Sequence, residues 1–305
     1  MLQRTLKSEA VIEGVGLHSG ENVRLVLKPA EVDQGIVFVR SDLPRPHNEI
    51  IAVFENVTNT RLATTLGQGK ASVSTIEHLI SAIQGLGIDN ITCEVNGPEV
   101  PILDGSAMGF CEAIEAAGFQ TQLKPRKVLK IKKRVELKVG EKWAVVEPSD
   151  QLELHATIEW DHPMIGFQVF HYNELEKGFL DVAAARTFGF LKDVEGLRRM
   201  GLAQGGSLDN AVVLDDHRIL NPEGLRFPNE FVRHKVLDSI GDLRLSGYHV
   251  HGRFQLHRSG HDLHYQLLRQ IFSEPSQFEI VQLNPQENEG EKSKKKVTSR
   301  AVAFS

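Results

Sequence analysis

The chain has 305 residues, of which 41% are hydrophobic and 25% are charged, so two domains are expected and general disorder is excluded. Its formal net charge of −5 gives no support to general nucleic-acid binding, which relies on basic residues that neutralise phosphates. Two cysteines, Cys93 and Cys111, are too few for a thiolate zinc site or a disulfide framework, which favours a reducing cytoplasm. No run of 18 apolar residues predicts a transmembrane segment.

The first part of the chain alternates between strand and helix patterns. Ser74-Thr75-Ile76-Glu77 has the residue types of a capping box and predicts the start of a helix that ends near Gly87. The predicted elements are strands at residues 23–27 and 36–39, this helix, a strand at 91–95 and a helix at 106–118.

Lys124-Pro125-Arg126 predicts a linker, because a proline ends an element and the neighbouring residues are polar. The elements predicted beyond it are strands at residues 128–137, 143–146, 152–160, 211–214 and 248–256, and helices at 180–185, 194–200, 231–242 and 263–272. The last thirty residues are poor in apolar side chains. We therefore predict an N-terminal domain (1–124), a C-terminal domain (127–275) and a polar tail (276–305).

The stretch from Phe231 to Asp242 places His234, Asp238 and Asp242 four residues apart in a helix-forming run. Residues four apart lie on one helical face, and the opposite face carries apolar side chains that can pack. An imidazole and a carboxylate one turn apart form a pair of zinc or iron ligands on a rigid backbone. A solvated surface helix is the alternative that this pattern alone leaves open.

Three other stretches carry residues suited to catalysis. Glu77 precedes His78 at the start of a predicted helix, so its carboxylate can reach water at an ion that His78 binds. His261 follows a predicted strand, in a turn of the kind that gathers around active sites. Thr187 offers a hydroxyl beside aromatic residues. Taken separately, each stretch has an ordinary alternative. It is a solvated helix end for Glu77-His78, a surface turn for His261, and core or loop packing for Thr187.

Taken together, these stretches resemble the UDP-3-O-acyl-N-acetylglucosamine deacetylases of lipid A synthesis. The motifs that occur in the order and spacing of that family are G-V-G-L-H-S-G, S-T-I-E-H-L, G-L-G-I-D-N, P-I-L-D-G-S, A-R-T-F-G-F, G-L-x-x-G-G-S, G-L-R-F, E-F-V-R-H-K-x-L-D-x-I-G-D-L and S-G-H. The resemblance implies an α+β fold of two similarly built domains, each a β-sheet packed on helices, with the active site between them. It also implies hydrolysis of the N-acetyl group of UDP-3-O-(3-hydroxyacyl)-N-acetylglucosamine to the free amine and acetate, the committed step of lipid A (lipopolysaccharide) biosynthesis.

The resemblance assigns metal and catalytic roles by position. The implied zinc ligands are His78, His234 and Asp238. The implied catalytic residues are Glu77 as general base, His261 supported by Asp242, and Thr187 near the substrate carbonyl. Three protein ligands leave a fourth zinc position open for water, as catalytic zinc sites do. Two histidines and one carboxylate also suit iron(II), so the sequence leaves the metal open.

The resemblance further implies contacts with the substrate. The apolar residues that would enclose the fatty acyl chain are Phe188, Phe190, Leu202, Ala203 and Val213. The residues that would meet the nucleotide are Lys142, Lys235 and Arg258 at the diphosphate and Trp160 near the uracil. Ordinary core packing is the alternative for the acyl-chain residues, and most of them could serve both roles. Ala203 stands where some family members carry a cysteine, which leaves the preferred acyl length open.

The expected partner is this small acylated UDP-sugar, with no nucleic acid and at most peripheral membrane contact. Two rival functions remain at this point. One is a zinc amidase that acts on a different N-acetyl sugar, and the other is a carbohydrate-binding protein without activity. Glu77 argues against the second, because ligand binding alone needs no general base.

Overall fold

The computed structural model of the chain describes residues 1–176 and 178–283. The strands up to residue 131 are β1 (Leu2–Leu6), β2 (Ala10–Val15), β3 (Asn22–Pro29), β4 (Ile36–Arg40), β5 (Glu49–Ile51), β6 (Val57–Asn59), β7 (Thr65–Gln68), β8 (Ala71–Val73), β9 (Ile91–Val95) and β10 (Phe119–Ile131). The helices among them are α1 (Glu77–Gly85) and α2 (Met108–Ala117), with a short 3-10 helix at Phe54–Asn56.

The later strands are β11 (Val135–Val139), β12 (Lys142–Glu147), β13 (Leu152–Trp160), β14 (Gly166–Asn173), β15 (Phe188–Phe190), β16 (Val212–Leu214), β17 (His249–His257) and β18 (Phe278–Leu283). The later helices are α3 (Leu180–Ala183), α4 (Leu191–Arg199), α5 (Glu230–Arg244) and α6 (His261–Ser273), with a 3-10 helix at Pro275–Gln277. None of the helices in the described ranges has the length and apolar composition needed to cross a membrane.

The strands form two main sheets that pack against the helices, which confirms the predicted α+β class. The first sheet has the order β2-β3-β9-β4-β5. The second follows the path β1-β10-β17-β12-β11, with β13 paired to β14 and β17, and with β18 paired to β10. Two small sheets, β6-β7-β8 and β15-β16, complete the set. The alternation predicted for β3 is confirmed, since Val23, Leu25 and Leu27 are at most 3% exposed in the core.

Helices α1 and α5 lie directly against each other in the core. The hydroxyl of Ser81 on α1 donates to the carbonyl oxygen of Leu237 on α5 at 2.9 Å. Gly241 approaches α1 so closely that a β-carbon at this position would lie 2.2 Å from the carbonyl oxygen of Glu77. Only glycine fits this contact without a shift of one helix. The contact brings the start of α1 beside α5 and so joins the two halves of the chain at one site.

Helix α1 is present as predicted, but its predicted capping box is wrong. Its N-cap is Ile76, which makes no side-chain capping hydrogen bond. Thr75 has a φ of 57°, and its hydroxyl donates to Glu99 at 2.9 Å. Ser74 accepts a hydrogen bond from the hydroxyl of Thr65 at 3.0 Å. The two hydroxyls that would cap the helix are used in contacts with distant segments.

The predicted linker at Lys124–Arg126 is also wrong, because these residues lie inside β10. This strand pairs with β1 over its first part and with β17 and β18 over its second part. Arg126 is buried, and its Nε donates to Asp89 at 2.8 Å. Strand β1, which we assigned to the N-terminal domain, therefore belongs to the second sheet. The division into two domains stays a prediction.

The polar tail predicted from residue 276 begins too early. Residues 278–283 form β18, in which Ile280 pairs with Leu129 of β10. The rings of Phe278 and Phe272 pack with centroids 4.7 Å apart. The strand forms because β10 offers it a free edge, which the local composition does not reveal. The rest of the predicted tail, residues 284–305, lies outside the described residues.

Candidate active site

Three side chains from α1 and α5 converge in the core. Nε2 of His78 and Nε2 of His234 lie 3.5 Å and 3.3 Å from Oδ1 of Asp238. All three residues are at most 3% exposed, and their ligand atoms lie within 4.8 Å of one another. Within the described residues, Oδ1 of Asp238 has no hydrogen-bond partner, which is costly for a buried carboxylate oxygen. A divalent metal ion would supply that partner, and the donor set fits zinc or iron(II).

Neighbouring groups keep His234 and Asp238 in the protonation states that can bind a metal. Nδ1 of His234 lies 3.1 Å from the carbonyl oxygen of Ala185, which makes Nδ1 the protonated nitrogen and leaves Nε2 for a ligand bond. Burial lowers the pKa of His234 to about 3, so its imidazole is neutral. Burial alone would raise the pKa of Asp238, but His234 and Lys235 hold this pKa well below its ordinary value. A neutral imidazole and an ionised carboxylate are the forms that bind metals.

Glu77 and His261 face each other beside the three ligands. Oε1 of Glu77 lies 3.7 Å from Nε2 of His261, and Oε2 accepts the backbone N–H of Thr64 at 3.1 Å. Burial raises the pKa of Glu77 against the opposing effect of His261. Burial lowers the pKa of His261, but Asp242 and Glu77 outweigh it and raise that pKa to about 10. A carboxylate of raised pKa and a persistently protonated imidazole suit a general base and a general acid.

Asp242 contacts the ring nitrogen of His261 that faces away from Glu77. Its Oδ2 lies 2.7 Å from Nδ1 of His261 and 2.8 Å from Nδ1 of His264, and its Oδ1 accepts the hydroxyl of Thr64 at 2.7 Å. Burial would raise the pKa of Asp242, but His261 and His264 together hold it below the ordinary value. The contact between Asp242 and His261 agrees with the support role that the sequence predicted.

Thr64 and His264 are site residues that the sequence analysis missed. His264 follows His261 by three positions, so both lie on the same side of α6. That spacing is a signal that could have found it. Thr64 lies just before β7 in the motif R-L-A-T-T-L, and nothing in that motif points to a contact with Asp242 178 residues away.

Thr187 and Phe188 lie next to α5, the helix that carries His234 and Asp238. Thr187 is half-buried, and its N–H donates to the carbonyl oxygen of Gly105 at 2.7 Å. The ring of Phe188 packs edge-on against His234, with centroids 6.3 Å apart. The backbone of Thr187 is thus fixed near the site, while the catalytic role of its hydroxyl stays a prediction.

The residues predicted to meet the nucleotide lie around one cavity. Lys142, Trp160, Lys235 and Arg258 line a volume of about 310 Å³. Nζ of Lys235 also donates to Oδ2 of Asp238 at 2.8 Å, so this lysine connects the cavity with the cluster of His78, His234 and Asp238. Three cations and one indole around a single cavity are groups that can bind a nucleoside diphosphate.

The residues predicted to enclose the acyl chain are less closely grouped. Phe188 and Phe190 face one side of β15, whereas Val213 of β16 pairs with the glycine between them and faces the other side. Leu202 and Ala203 lie in the loop after α4, and both are half-buried. A common passage formed by all five residues stays a prediction.

Known proteins with similar sequences point to one family. The family model described as UDP-3-O-acyl N-acetylglycosamine deacetylase matches residues 3–273. A protein of Myxococcus xanthus (strain DK1622) named UDP-3-O-acyl-N-acetylglucosamine deacetylase is 50% identical over 289 residues, which cover 94% of this chain and 92% of that protein. Proteins of the same name from Campylobacter fetus subsp. fetus (strain 82-40) and Syntrophus aciditrophicus (strain SB) are 48% identical over 287 residues and 45% identical over 302 residues. These alignments cover 94% and 98% of this chain and 97% and 96% of the two relatives. The chain therefore belongs to the UDP-3-O-acyl N-acetylglycosamine deacetylase family.

Proposed function

We propose that this chain is a zinc-dependent deacetylase that removes the N-acetyl group of UDP-3-O-(3-hydroxyacyl)-N-acetylglucosamine, the committed step of lipid A biosynthesis. The observation that carries the proposal is the convergence of His78, His234 and Asp238, with Glu77 and His261 beside them. The names of the relatives support the choice of substrate. Two buried and unpaired cysteines support a cytoplasmic location.

The reaction adds water across the amide bond, so the acetyl carbon gains the water oxygen and the nitrogen leaves as an amine. When bound, zinc supplies Lewis acidity, which polarises a carbonyl oxygen and makes water more acidic. Glu77 takes a proton from the water while the water oxygen attacks the acetyl carbon. His261 gives its proton to the departing nitrogen, because an amine leaves poorly unless it is protonated. The hydroxyl of Thr187 donates a hydrogen bond to the negative charge that develops on the carbonyl oxygen.

The remaining residues of the site bind the substrate. Lys142, Lys235 and Arg258 would neutralise the diphosphate, and Trp160 would stack on the uracil. Arg258 is paired with Glu141 at 2.8 Å, so the diphosphate has to compete with that carboxylate. Binding at these groups would place the acetamide at Glu77 and direct the acyl chain toward β15 and β16.

Acetate release from the acylated UDP-sugar, with and without a chelator, tests this function. We expect turnover that the chelator abolishes and added zinc restores. UDP-N-acetylglucosamine, which lacks the 3-O-acyl chain, is the control substrate. Equal turnover of both sugars would identify an amidase for another N-acetyl sugar. Binding of the acylated sugar without any acetate release would identify a carbohydrate-binding protein instead.

The pH dependence of kcat/KM should be bell-shaped, with an acidic limb from Glu77 and a basic limb from His261. The carboxylate of Asp242 raises the pKa of His261, so Asp242→Asn removes that effect and lowers this pKa. His261 then loses its proton at lower pH, and the basic limb moves down while the metal content stays unchanged. Rate profiles from acid to alkaline pH for both proteins check this result. An unmoved basic limb would remove Asp242 from the catalytic set.

A further inference from the structure

His264 is an imidazole on the inner side of α6 that the reaction described above does not use. It is 0% exposed and lies between Asp242 and Ser239 of α5. Its Nδ1 is 2.8 Å from Oδ2 of Asp242, and its Nε2 is 3.1 Å from Oγ of Ser239. The same carboxylate oxygen of Asp242 is 2.7 Å from Nδ1 of His261. One buried carboxylate oxygen thus serves two imidazoles.

The hydrogen bonds around His264 determine which atoms carry protons. The hydroxyl of Ser239 lies 2.7 Å from the backbone carbonyl oxygen of Lys235. A carbonyl oxygen can only accept, so Ser239 uses its single hydroxyl proton in that bond. Toward His264 the Ser239 oxygen can therefore only accept, and Nε2 of His264 has to be the donor.

The other ring nitrogen is also a donor, because its partner is an ionised carboxylate. Oδ2 of Asp242 lies 2.7 Å from Nδ1 of the protonated His261, which favours the ionised carboxylate. The hydroxyl of Thr64 donates to the other oxygen of this carboxylate, which stabilises the ionised form further. Nδ1 of His264 therefore donates to Asp242. An imidazole that donates from both nitrogens carries a positive charge.

We propose that His264 is a positioning residue, a buried imidazolium that shares Asp242 with His261 and thereby sets the pH range over which His261 keeps its proton. This role rests on the proposed deacetylase function, whereas the charge on His264 does not. Among the described residues, the hydrogen-bond partners of the His264 ring are Ser239 and Asp242, and it acts through the carboxylate that both histidines contact.

The carboxylates that face the two histidines come from helices α1 and α5. Asp242 on α5 contacts both rings, and Glu77 on α1 faces the Nε2 side of His261 at 3.7 Å. The carboxylate of Asp238 on α5 also raises the pKa of His261. Three carboxylates therefore act on the two imidazolium rings, which makes the burial of a second cation acceptable. Without the charge on His264, Asp242 would act on His261 alone and hold its proton more tightly. Because Asp242 is shared, the pKa of His261 is high enough for the ring to be protonated before the reaction. The same pKa is low enough for the ring to release its proton to the departing nitrogen.

The protonation of His264 can be measured directly on the zinc-loaded protein with ¹⁵N-labelled histidine. NMR correlations between ring nitrogens and ring carbon-bound protons separate an imidazolium, with two similar nitrogen shifts, from a neutral tautomer, with two different ones. His264→Asn assigns the signals by their disappearance. We expect two protonated nitrogens for His264, as its two hydrogen bonds require. A neutral tautomer at neutral pH would overturn the proposal, whether or not the protein is a deacetylase.

The effect on His261 is tested by the basic limb of kcat/KM in two variants. His264→Asn keeps an N–H donor toward Asp242 and removes the charge, so the basic limb should move up by about one pH unit. Ser239→Ala keeps the imidazole and removes the acceptor that requires the second proton, so the limb should move in the same direction. Ser273→Ala is the matched control, because Ser273 also donates to a backbone carbonyl of its own helix but is exposed and faces no histidine.

A purely structural His264 would give a different set of results. The thermal midpoint would fall in His264→Asn, and kcat would fall at every pH, but the basic limb would stay in place. That outcome, or a limb that moves down, would overturn the proposal. If the wild-type protein released no acetate, the deacetylase function would fail, while the NMR measurement would still decide the charge of His264.

Discussion

Replacing Glu77 with glutamine is expected to lower kcat by about 10²- to 10⁴-fold while the protein keeps its metal. The amide cannot take a proton from water, but it preserves the size of the side chain. Its oxygen can still accept the backbone N–H of Thr64, which lies 3.1 Å from the carboxylate in the wild-type chain. The measurement is single-turnover acetate release, combined with metal analysis of the same sample.

Glu112→Gln is the matched control for the Glu77 variant, because it removes the same charge from an exposed position on α2. This control should retain full turnover. If Glu77→Gln also turned over at the wild-type rate, another group would have to be the base. If it lost both turnover and metal, the loss of activity would reflect damage to the ligand set around the neighbouring His78.

His234→Ala is expected to abolish turnover because the ion is lost. Two ligands, His78 and Asp238, remain, and the catalytic arrangement needs three. The loss of a direct ligand should weaken metal binding by more than the roughly 10- to 100-fold that follows the loss of an outer partner. Competition with a calibrated chelator measures this affinity, and elemental analysis after gel filtration measures the bound metal.

His47→Ala serves as the control for His234→Ala, since it removes an exposed histidine from the loop after β4. Its metal content and turnover should equal those of the wild-type protein. A His234→Ala protein with full metal content and full activity would contradict the ligand assignment. Circular dichroism separates metal loss from unfolding, because an intact fold with an empty site is the expected state of the variant.

The sequence predicted those residues of the candidate site that lie together on a single element. A period of 3.6 residues places His234, Asp238 and Asp242 on one face of α5, whatever the rest of the chain does. Glu77 and His78 are adjacent by covalent structure. The order of the short motifs pointed to the family, and the family matches are consistent with that resemblance.

Contacts between distant elements had no comparable signal. The closeness of α1 and α5 depends on Gly241, which looks like any helical glycine until α1 lies against it. Thr64 reaches Asp242 only because the segment before β7 contacts both helices, through Glu77 of α1 and Asp242 of α5. The pairing of His264 with Asp242 likewise needs α6 to pack on α5. Each of these contacts joins segments whose local sequences are independent of one another.

The incorrect predictions have the same cause. Hydroxyls in the sequence S-T-I-E usually cap a helix, but here Ser74 and Thr75 bond to other segments, and α1 starts without them. A proline usually ends an element, but Pro125 continues β10 because Leu2 of β1 lies opposite it. Sequence periodicity reports interactions within one element, since those depend on spacing alone. The packing of the whole chain decides which partner each element meets. That packing pairs β18 with β10 and places His261 and His264 against the same carboxylate, that of Asp242.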